Sequence, residues 1–198
     1  MLGVGNLVDR VVQLQFHTLL DPIIEARLPE HFYGFRRGRC SHNALAFLYS
    51  TLSDTRDYFL VSADIKKCFD SFSHQYILRN FPFPVKYRNL LLRWIECIRV
   101  YEDGRRERLT RGVPQGSVIA PSICNFVLAQ LLDGFLDDFP SKRAVRRFLI
   151  GYADDIMIKV YSQAEADRAL NKLERVLSPA SLELNREKCH TYELSNKV

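Results

Sequence analysis

Two adjacent carboxylates, Asp154 and Asp155, follow Tyr152-Ala153 between two runs of strand-forming residues, Arg147-Phe148-Leu149-Ile150 and Ile156-Met157-Ile158-Lys159-Val160. At the tip of an otherwise apolar hairpin they repel each other and crowd a turn whose flanks favour burial. A hard divalent cation such as Mg²⁺ prefers carboxylate oxygen and would offset that repulsion. An Asp-Asp pair in a surface turn is also commonly just solvated. The pair therefore needs company: a third carboxylate, and groups that handle phosphate.

Asp64 supplies the third candidate. It comes late in Tyr58-Phe59-Leu60-Val61-Ser62-Ala63-Asp64-Ile65, an almost continuously apolar run with the pattern of a strand buried on both faces. Alone, Asp64 reads as a strand-end cap or an ion-pair partner of Lys66 or Lys67. With the Asp-Asp hairpin downstream, the stronger reading is that neighbouring strands bring all three carboxylates to one end of a sheet. Three carboxylates there can hold two Mg²⁺ ions about 3.5–4 Å apart, an arrangement suited to phosphoryl transfer. Arg111-Gly112-Val113-Pro114-Gln115-Gly116-Ser117 offers a phosphate-handling element just before a helical pattern. Its glycines let backbone approach a ligand closely, and a helix N-terminus favours anions. The same string also fits an ordinary loop into a helix capped by Ser117.

The elements that must position these groups follow a mixed α/β order. Apolar spacing predicts helices over 7–24, ending near Pro22, and over 41–52, with a Gly- and Arg-rich loop, Tyr33-Gly34-Phe35-Arg36-Arg37-Gly38-Arg39, between them. A strand over 58–65 follows, then an amphipathic helix over 85–100 that carries Trp94 as a core residue. Asp103-Gly104 marks a hairpin turn. A long helix is expected over 116–139. After the Asp-Asp hairpin, Ser162-Gln163-Ala164-Glu165 matches a capping box opening a helix to about 177, and a last strand covers 189–194.

Composition bounds the rest. The 198 residues are 47% apolar, enough for a substantial core in one or two domains, with no internal repeat. A net charge of +5 and a pI near 9.0 suit a nucleic-acid partner without requiring one. Cys40, Cys68, Cys97, Cys124 and Cys189 are odd in number and scattered, which argues against a disulfide framework or a zinc site and for a reducing compartment. Cys189-His190 would point to opposite faces of a strand and reads as structural. No stretch approaches the ~20 apolar residues of a membrane span, so no membrane partner is expected. Two basic clusters, Lys142, Arg143, Arg146 and Arg147, and Arg105, Arg106 and Arg108, fit a nucleic-acid surface and a solvated face equally well.

In their order along the chain these blocks resemble the reverse transcriptases, most closely the group II intron and retron-like family. Residues 33–42 resemble its YGFRPGRS-type fingers block. Ser62-Ala63-Asp64-Ile65-Lys66-Lys67-Cys68-Phe69-Asp70 resembles the first catalytic motif of the palm, and 112–121 the GxPQGxxxSP motif, with Asn125 in the following helix. Tyr152-Ala153-Asp154-Asp155 is the YADD form of the second catalytic motif, and 182–188 resembles a later palm motif ending in Lys188. The likeness runs from Leu2 to about Tyr192. Departures are Gly5 and Arg37 for prolines, Gly151 for an arginine, and Val118 and Ala120 for Pro and Ser.

The resemblance implies an α/β (α+β) right-hand polymerase palm with partial fingers, an antiparallel palm sheet backed by helices, and no thumb. Residues 1–57 would be partial fingers, 58–80 and 114–198 palm, and 81–113 a helix and hairpin of the fingers/palm region. It implies template-directed DNA synthesis on RNA with two Mg²⁺ ions, or Mn²⁺ as an alternative. Carried over residue by residue, Asp64, Asp154 and Asp155 are the catalytic carboxylates and, with the carbonyl of Ile65, the metal ligands. Gln115 lies against the incoming nucleotide and Gly116 gives clearance. Arg36 and Arg39 contact template or nucleotide phosphates, Tyr152 belongs to the nucleic-acid contacts, and Lys188 protonates the leaving pyrophosphate or balances charge. Phe69 matches a bulky ring beneath the sugar, where it would exclude a ribose 2′-hydroxyl. RNA-dependent RNA polymerases carry an aspartate at that offset, and here the aspartate is one position later, Asp70.

The implied partners are an RNA template, a DNA or RNA primer, deoxynucleoside triphosphates and, beyond these, intron RNA. The chain begins within the fingers block and stops before a thumb, so a truncated frame, split product or domain excerpt is expected. A catalytically inactive RNA-binding or intron-maturase remnant is the alternative function, with an RNA-dependent RNA polymerase third. The family habit favours a mitochondrial, organelle-encoded origin slightly over a bacterial cytoplasm.

Overall fold

The computed structural model describes residues 5–52, 57–139 and 148–194. Its centre is a four-stranded antiparallel sheet of β1 (Tyr58–Asp64), β4 (Phe148–Tyr152), β5 (Asp155–Val160) and β6 (His190–Leu194), in the order β4-β5-β1-β6. The period-two pattern sets its faces. Val61, Ala63, Leu149, Ile156 and Ile158 point into the main core, which α6 (Ala120–Leu131) and α7 (Gln163–Leu177) share. Phe148 and Ile150 point the other way, against Tyr33 and against Phe47 and Leu48 of α2 (Ser41–Leu52). Lys159 on β5, only 1% exposed, ties that second layer down. Its amine donates to the Thr51 carbonyl at 2.8 Å and lies over the Tyr58 ring.

α6 is the central helix. It is buried without a break from Ser122 to Ala129, as expected of a helix apolar on all sides. α7 is amphipathic and buries Ala166, Ala169, Leu173 and Leu177. Its start is a reciprocal cap. The Ser162 hydroxyl accepts from the Glu165 amide at 3.1 Å, and the Glu165 carboxylate accepts from the Tyr161 amide at 3.0 Å.

Several expected boundaries shift. α1 (Leu7–Glu25) runs through Pro22. The helix expected over 85–100 ends as α5 (Arg88–Ile95) after a 3-10 turn; Ile98–Val100 becomes β2, paired with β3 (Arg106–Arg108) across the Asp103-Gly104 turn. The alternation Ile98-Arg99-Val100 has a strand's period, and the hairpin partner decides the matter. The helix expected over 116–139 begins only at Ala120, set by Pro121 in its first turn, and gives way to turns at Leu132, with Gly134 at φ +63°. Two short helices are additional to those expected: α3 (Cys68–Ser71) and α4 (His74–Asn80), the latter capped by Ser73. The basic residues Lys142, Arg143, Arg146 and Arg147 lie outside the described residues. Trp94 is core, 5% exposed. Among the described residues no helix is long and apolar enough to cross a membrane.

Candidate active site

The carboxylates meet at one end of the sheet because of strand register. β1 ends at Asp64, β5 begins at Asp155, and the two form the last rung of the antiparallel β1–β5 ladder. Asp154 is next to them in the turn that joins β4 to β5. That turn holds Ala153 at φ +56°, a left-handed conformation that costs a residue with a Cβ about 1–2 kcal/mol.

A segment from far upstream holds the turn in place. The Tyr33 amide donates to the Gly151 carbonyl at 2.8 Å, and the Gly151 amide donates to the His31 carbonyl at 3.1 Å, so Phe32 forms a parallel bridge beside β4. Gly34 then passes so close under the turn that a Cβ there would stand 2.3 Å from the Ala153 nitrogen. Asn125 of α6, 2% exposed, donates its amide to the Gly34 carbonyl at 2.9 Å. Gly151 is required too, because a Cβ would meet the Phe32 ring at 2.6 Å. The ring leaves no room for the arginine expected from the resemblance.

Lys188 arrives by a second set of backbone clips. The Lys66 amide donates to the Glu183 carbonyl at 2.8 Å, the Asn185 amide donates to the Asp64 carbonyl at 2.9 Å, and Ile65 bridges Leu184. The Lys188 amine then stands 3.6 Å from the Asp64 carboxylate, in place of the Lys66 or Lys67 partner considered above. Burial, and then the charges of Asp154 and Asp64, hold the Asp155 carboxyl above its ordinary range, with Lys188 opposing. Burial first, then Asp154 and Asp64, also push the Cys68 thiol up, so it is neutral behind the carboxylates.

This mutual repulsion is what a divalent cation would relieve, and all three donors are the hard oxygens that Mg²⁺ prefers. Among the described residues no three His, Cys, Asp or Glu side chains form a ready-made cage for an ion. That accords with Mg²⁺ chemistry, in which one or two carboxylates, waters and substrate phosphates usually share the coordination. The residues present fit such an ion.

Phe69 and Gln115 come together through backbone. The Gly112 amide donates to the Phe72 carbonyl at 2.7 Å and the Val113 amide to the Phe69 carbonyl at 2.6 Å, laying the Gly112–Ser117 loop on α3. The His74 imidazole donates to the Gly112 carbonyl at 2.7 Å. Phe69 is half-buried and meets the exposed ring of Phe35 edge-on at 6.1 Å. Gln115 is half-buried, and its amide nitrogen is 3.3 Å from the Asp70 carboxylate. Gly116 is exposed at φ +94°. Ser117 does not cap α6. Its hydroxyl donates to Gln13, which also accepts from the Val118 amide.

The expected phosphate role of Arg36 does not match its placement. Its side chain is 3% exposed. The guanidinium is forked onto Glu25 and donates to the carbonyls of Pro29 and Phe32, so it braces the loop from within. Arg39 is half-buried, donates to the Glu30 carbonyl and covers the Tyr33 ring. Tyr152 is exposed and Ile65 is buried at the carboxylate end. Of the basic hairpin, Arg105 stacks over Tyr101 and Arg108 pairs with Glu96 at 2.6 Å. Sequence reading missed Gly34 and Arg99 as site-builders, and noted Asp70 and Asn125 only in passing. Gly34 carried one signal, its place in the fingers block.

A family model described as reverse transcriptase (RNA-dependent DNA polymerase) matches residues 1–198. The chain is 29% identical over 141 residues to the putative COX1/OXI3 intron 1 protein of Saccharomyces cerevisiae, covering 70% of this chain and 16% of that protein. It is 26% identical over 133 residues to the group II intron-encoded protein LtrA of Lactococcus lactis subsp. cremoris, covering 66% and 22%. It thus spans about a fifth or less of the length of these relatives. In fold it is similar to the apo telomerase from Candida tropicalis truncated from its C-terminal domain, at a TM-score of 0.60 and 14% identity, covering 93% of this chain and 39% of that one.

Proposed function

The chain belongs to the reverse transcriptase (RNA-dependent DNA polymerase) family, and on that premise we propose that it performs RNA-templated DNA synthesis of the group II intron-encoded type. The observation that carries this reading is the shared rung of Asp64 and Asp155, with Asp154 beside it and Lys188 3.6 Å from Asp64. In this reading Asp64, Asp154, Asp155 and the Ile65 carbonyl hold two Mg²⁺ or Mn²⁺ ions. Ions so held supply charge stabilisation to the attacking and leaving oxygens of nucleotidyl transfer.

The remaining roles belong to the chain's own side chains. Gln115 lies against the incoming deoxynucleoside triphosphate, and Gly116 leaves clearance for it. Phe69 forms the wall that excludes a ribose 2′-hydroxyl. Lys188 offsets the charge of Asp64 and has a proton to give to the leaving pyrophosphate. Arg39 and Tyr152 face the nucleic acid. Residues 58–80 and 114–198 act as the palm and 1–57 as part of the fingers. The intron-protein relatives support intron RNA as a further partner, and the yeast COX1/OXI3 intron relative favours a mitochondrial over a bacterial origin.

Primer extension on an RNA template with Mg²⁺ or Mn²⁺ tests the proposal. Wild type is expected to extend with dNTPs over rNTPs, Asp154→Asn to stop extension, and Phe69→Ala to admit rNTPs. If wild type and Asp154→Asn bind RNA equally and neither extends the primer, the chain is an RNA-binding remnant and the catalytic reading is lost.

A further inference from the structure

Asp70 lies between the Gly112–Ser117 loop and the β2–β3 hairpin. It sits on α3, one residue after Phe69, and the Gly112–Ser117 loop is pressed onto its backbone; a Cβ on Gly112, at φ +79°, would stand 2.7 Å from the Asp70 Cα. One oxygen of its carboxylate accepts from the Gln115 amide nitrogen at 3.3 Å. The other accepts from the Arg99 guanidinium of β2 at 3.1 Å.

A carboxylate only accepts hydrogen bonds, whereas a glutamine amide offers an acceptor on one side and two donors on the other. Asp70 therefore selects one of the two flips of Gln115. The nitrogen turns toward Asp70, and the amide oxygen is left on the opposite side as an acceptor, with the second N–H beside it. Asp70 and Arg99 are part-exposed, at 39% and 30% of their side chains. Such pairs contribute little to stability, so the consequence of this contact falls on the orientation of Gln115 more than on the fold.

We propose that Asp70 is a positioning residue of the nucleotide site: its carboxylate fixes the flip of the Gln115 amide and, through Arg99, couples that amide to the β2–β3 hairpin. This rests on the reading that Gln115 lies against the incoming nucleotide.

The test first reads the Gln115 side-chain amide in the ¹⁵N-correlated NMR spectrum of the free protein, where Gln115→Ala identifies its cross-peaks by removing them. Asp70→Asn is expected to move those peaks and to leave the melting temperature within about 3 °C. Calorimetric binding of dTTP with Mg²⁺ is expected to weaken about 3- to 10-fold in Asp70→Asn, the worth of one hydrogen bond, with Asp70→Glu nearer wild type. In RNA-templated extension the loss falls on KM for the nucleotide, and Asp70→Asn adds nothing to Gln115→Ala. Cross-peaks that stay put in Asp70→Asn, or independent penalties in the double variant, overturn the proposal. A wild type whose peaks respond to Asp70→Asn but which binds no dTTP overturns the nucleotide-site reading instead, and the orientation stands.

Discussion

Asp64 faces Asp155 across the last rung of the β1–β5 ladder, so two of the three carboxylates share one cross-strand position. Like charges directly opposite on a sheet cost about 0.2–1 kcal/mol, and Lys188, paired with Asp64, offsets only part of that repulsion at Asp155. Asp155→Asn is therefore expected to raise the melting temperature of the metal-free protein by about 1–4 °C. The same substitution should shrink the further rise that MgCl₂ produces in wild type. Melts with and without Mg²⁺ check both; a variant that melts lower than wild type without metal would sink the repulsion argument.

Two glycines of one loop separate steric need from backbone strain. Gly38, at φ +69°, has nothing within 4 Å of its would-be Cβ, so Gly38→Ala should cost only the about 1–2 kcal/mol of a left-handed alanine and spare activity. At Gly34 the added methyl meets the backbone of Ala153. Gly34→Ala must move the turn that carries Asp154 and Asp155. A displacement near 1 Å at a reacting centre can cost on the order of 10²-fold in rate. Extension rates of the two variants, normalised to folded protein, distinguish the cases.

Arg36 makes a third prediction, because its charge is spent inside the fold. Arg36→Gln leaves the Pro29 and Phe32 carbonyls short of a donor and Glu25 without its fork, and should lower unfolding free energy by about 2–4 kcal/mol. The denaturant midpoint reads that loss. The salt slope of RNA binding by the folded variant should match wild type; a shallower slope would show a phosphate contact.

Local pattern explains why the carboxylate end was legible. Asp64 breaks an apolar run, and the Asp-Asp pair interrupts two strands; both signals lie within a few residues of the site. The Gly112–Ser117 loop is local for the same reason. Arg36 was misjudged because nothing in its neighbourhood says whether an arginine turns outward to a ligand or inward to Glu25. Residues 98–100 were misjudged because three residues of alternation cannot outweigh a helical pattern until Arg106–Arg108 pairs with them. The Asn125–Gly34 and Asp70–Arg99 contacts join distant parts of the chain, which periodicity does not register.

The loop that delivers Lys188 is fastened to α7 by Arg186, whose guanidinium bonds Glu174 at 2.7 Å. That bond holds the Glu174 carboxyl below its ordinary value of 4.5. A depressed acid contributes stability that is present above about pH 4.5 and lost as pH falls through the lower, folded-state value. Both groups are nearly half exposed, so the amount is small, about 0.5 kcal/mol or less. Glu174→Gln should remove that increment at pH 7 and leave melting unchanged from wild type at pH 2 to 3. A deficit of the same size at both pH values would contradict the ion pair.

β1 pairs on one side with β5 and on the other with β6, and both come far later in the chain. During synthesis β1 thus emerges with neither neighbour made. Its apolar residues and open edges must wait, and such delayed, non-local pairing is slow and prone to aggregation. Asp64 is translated early, yet Asp155 and Lys188 reach it only after a long stretch of further chain has been made. The strand that founds the carboxylate end is therefore made first, and the end itself is assembled late.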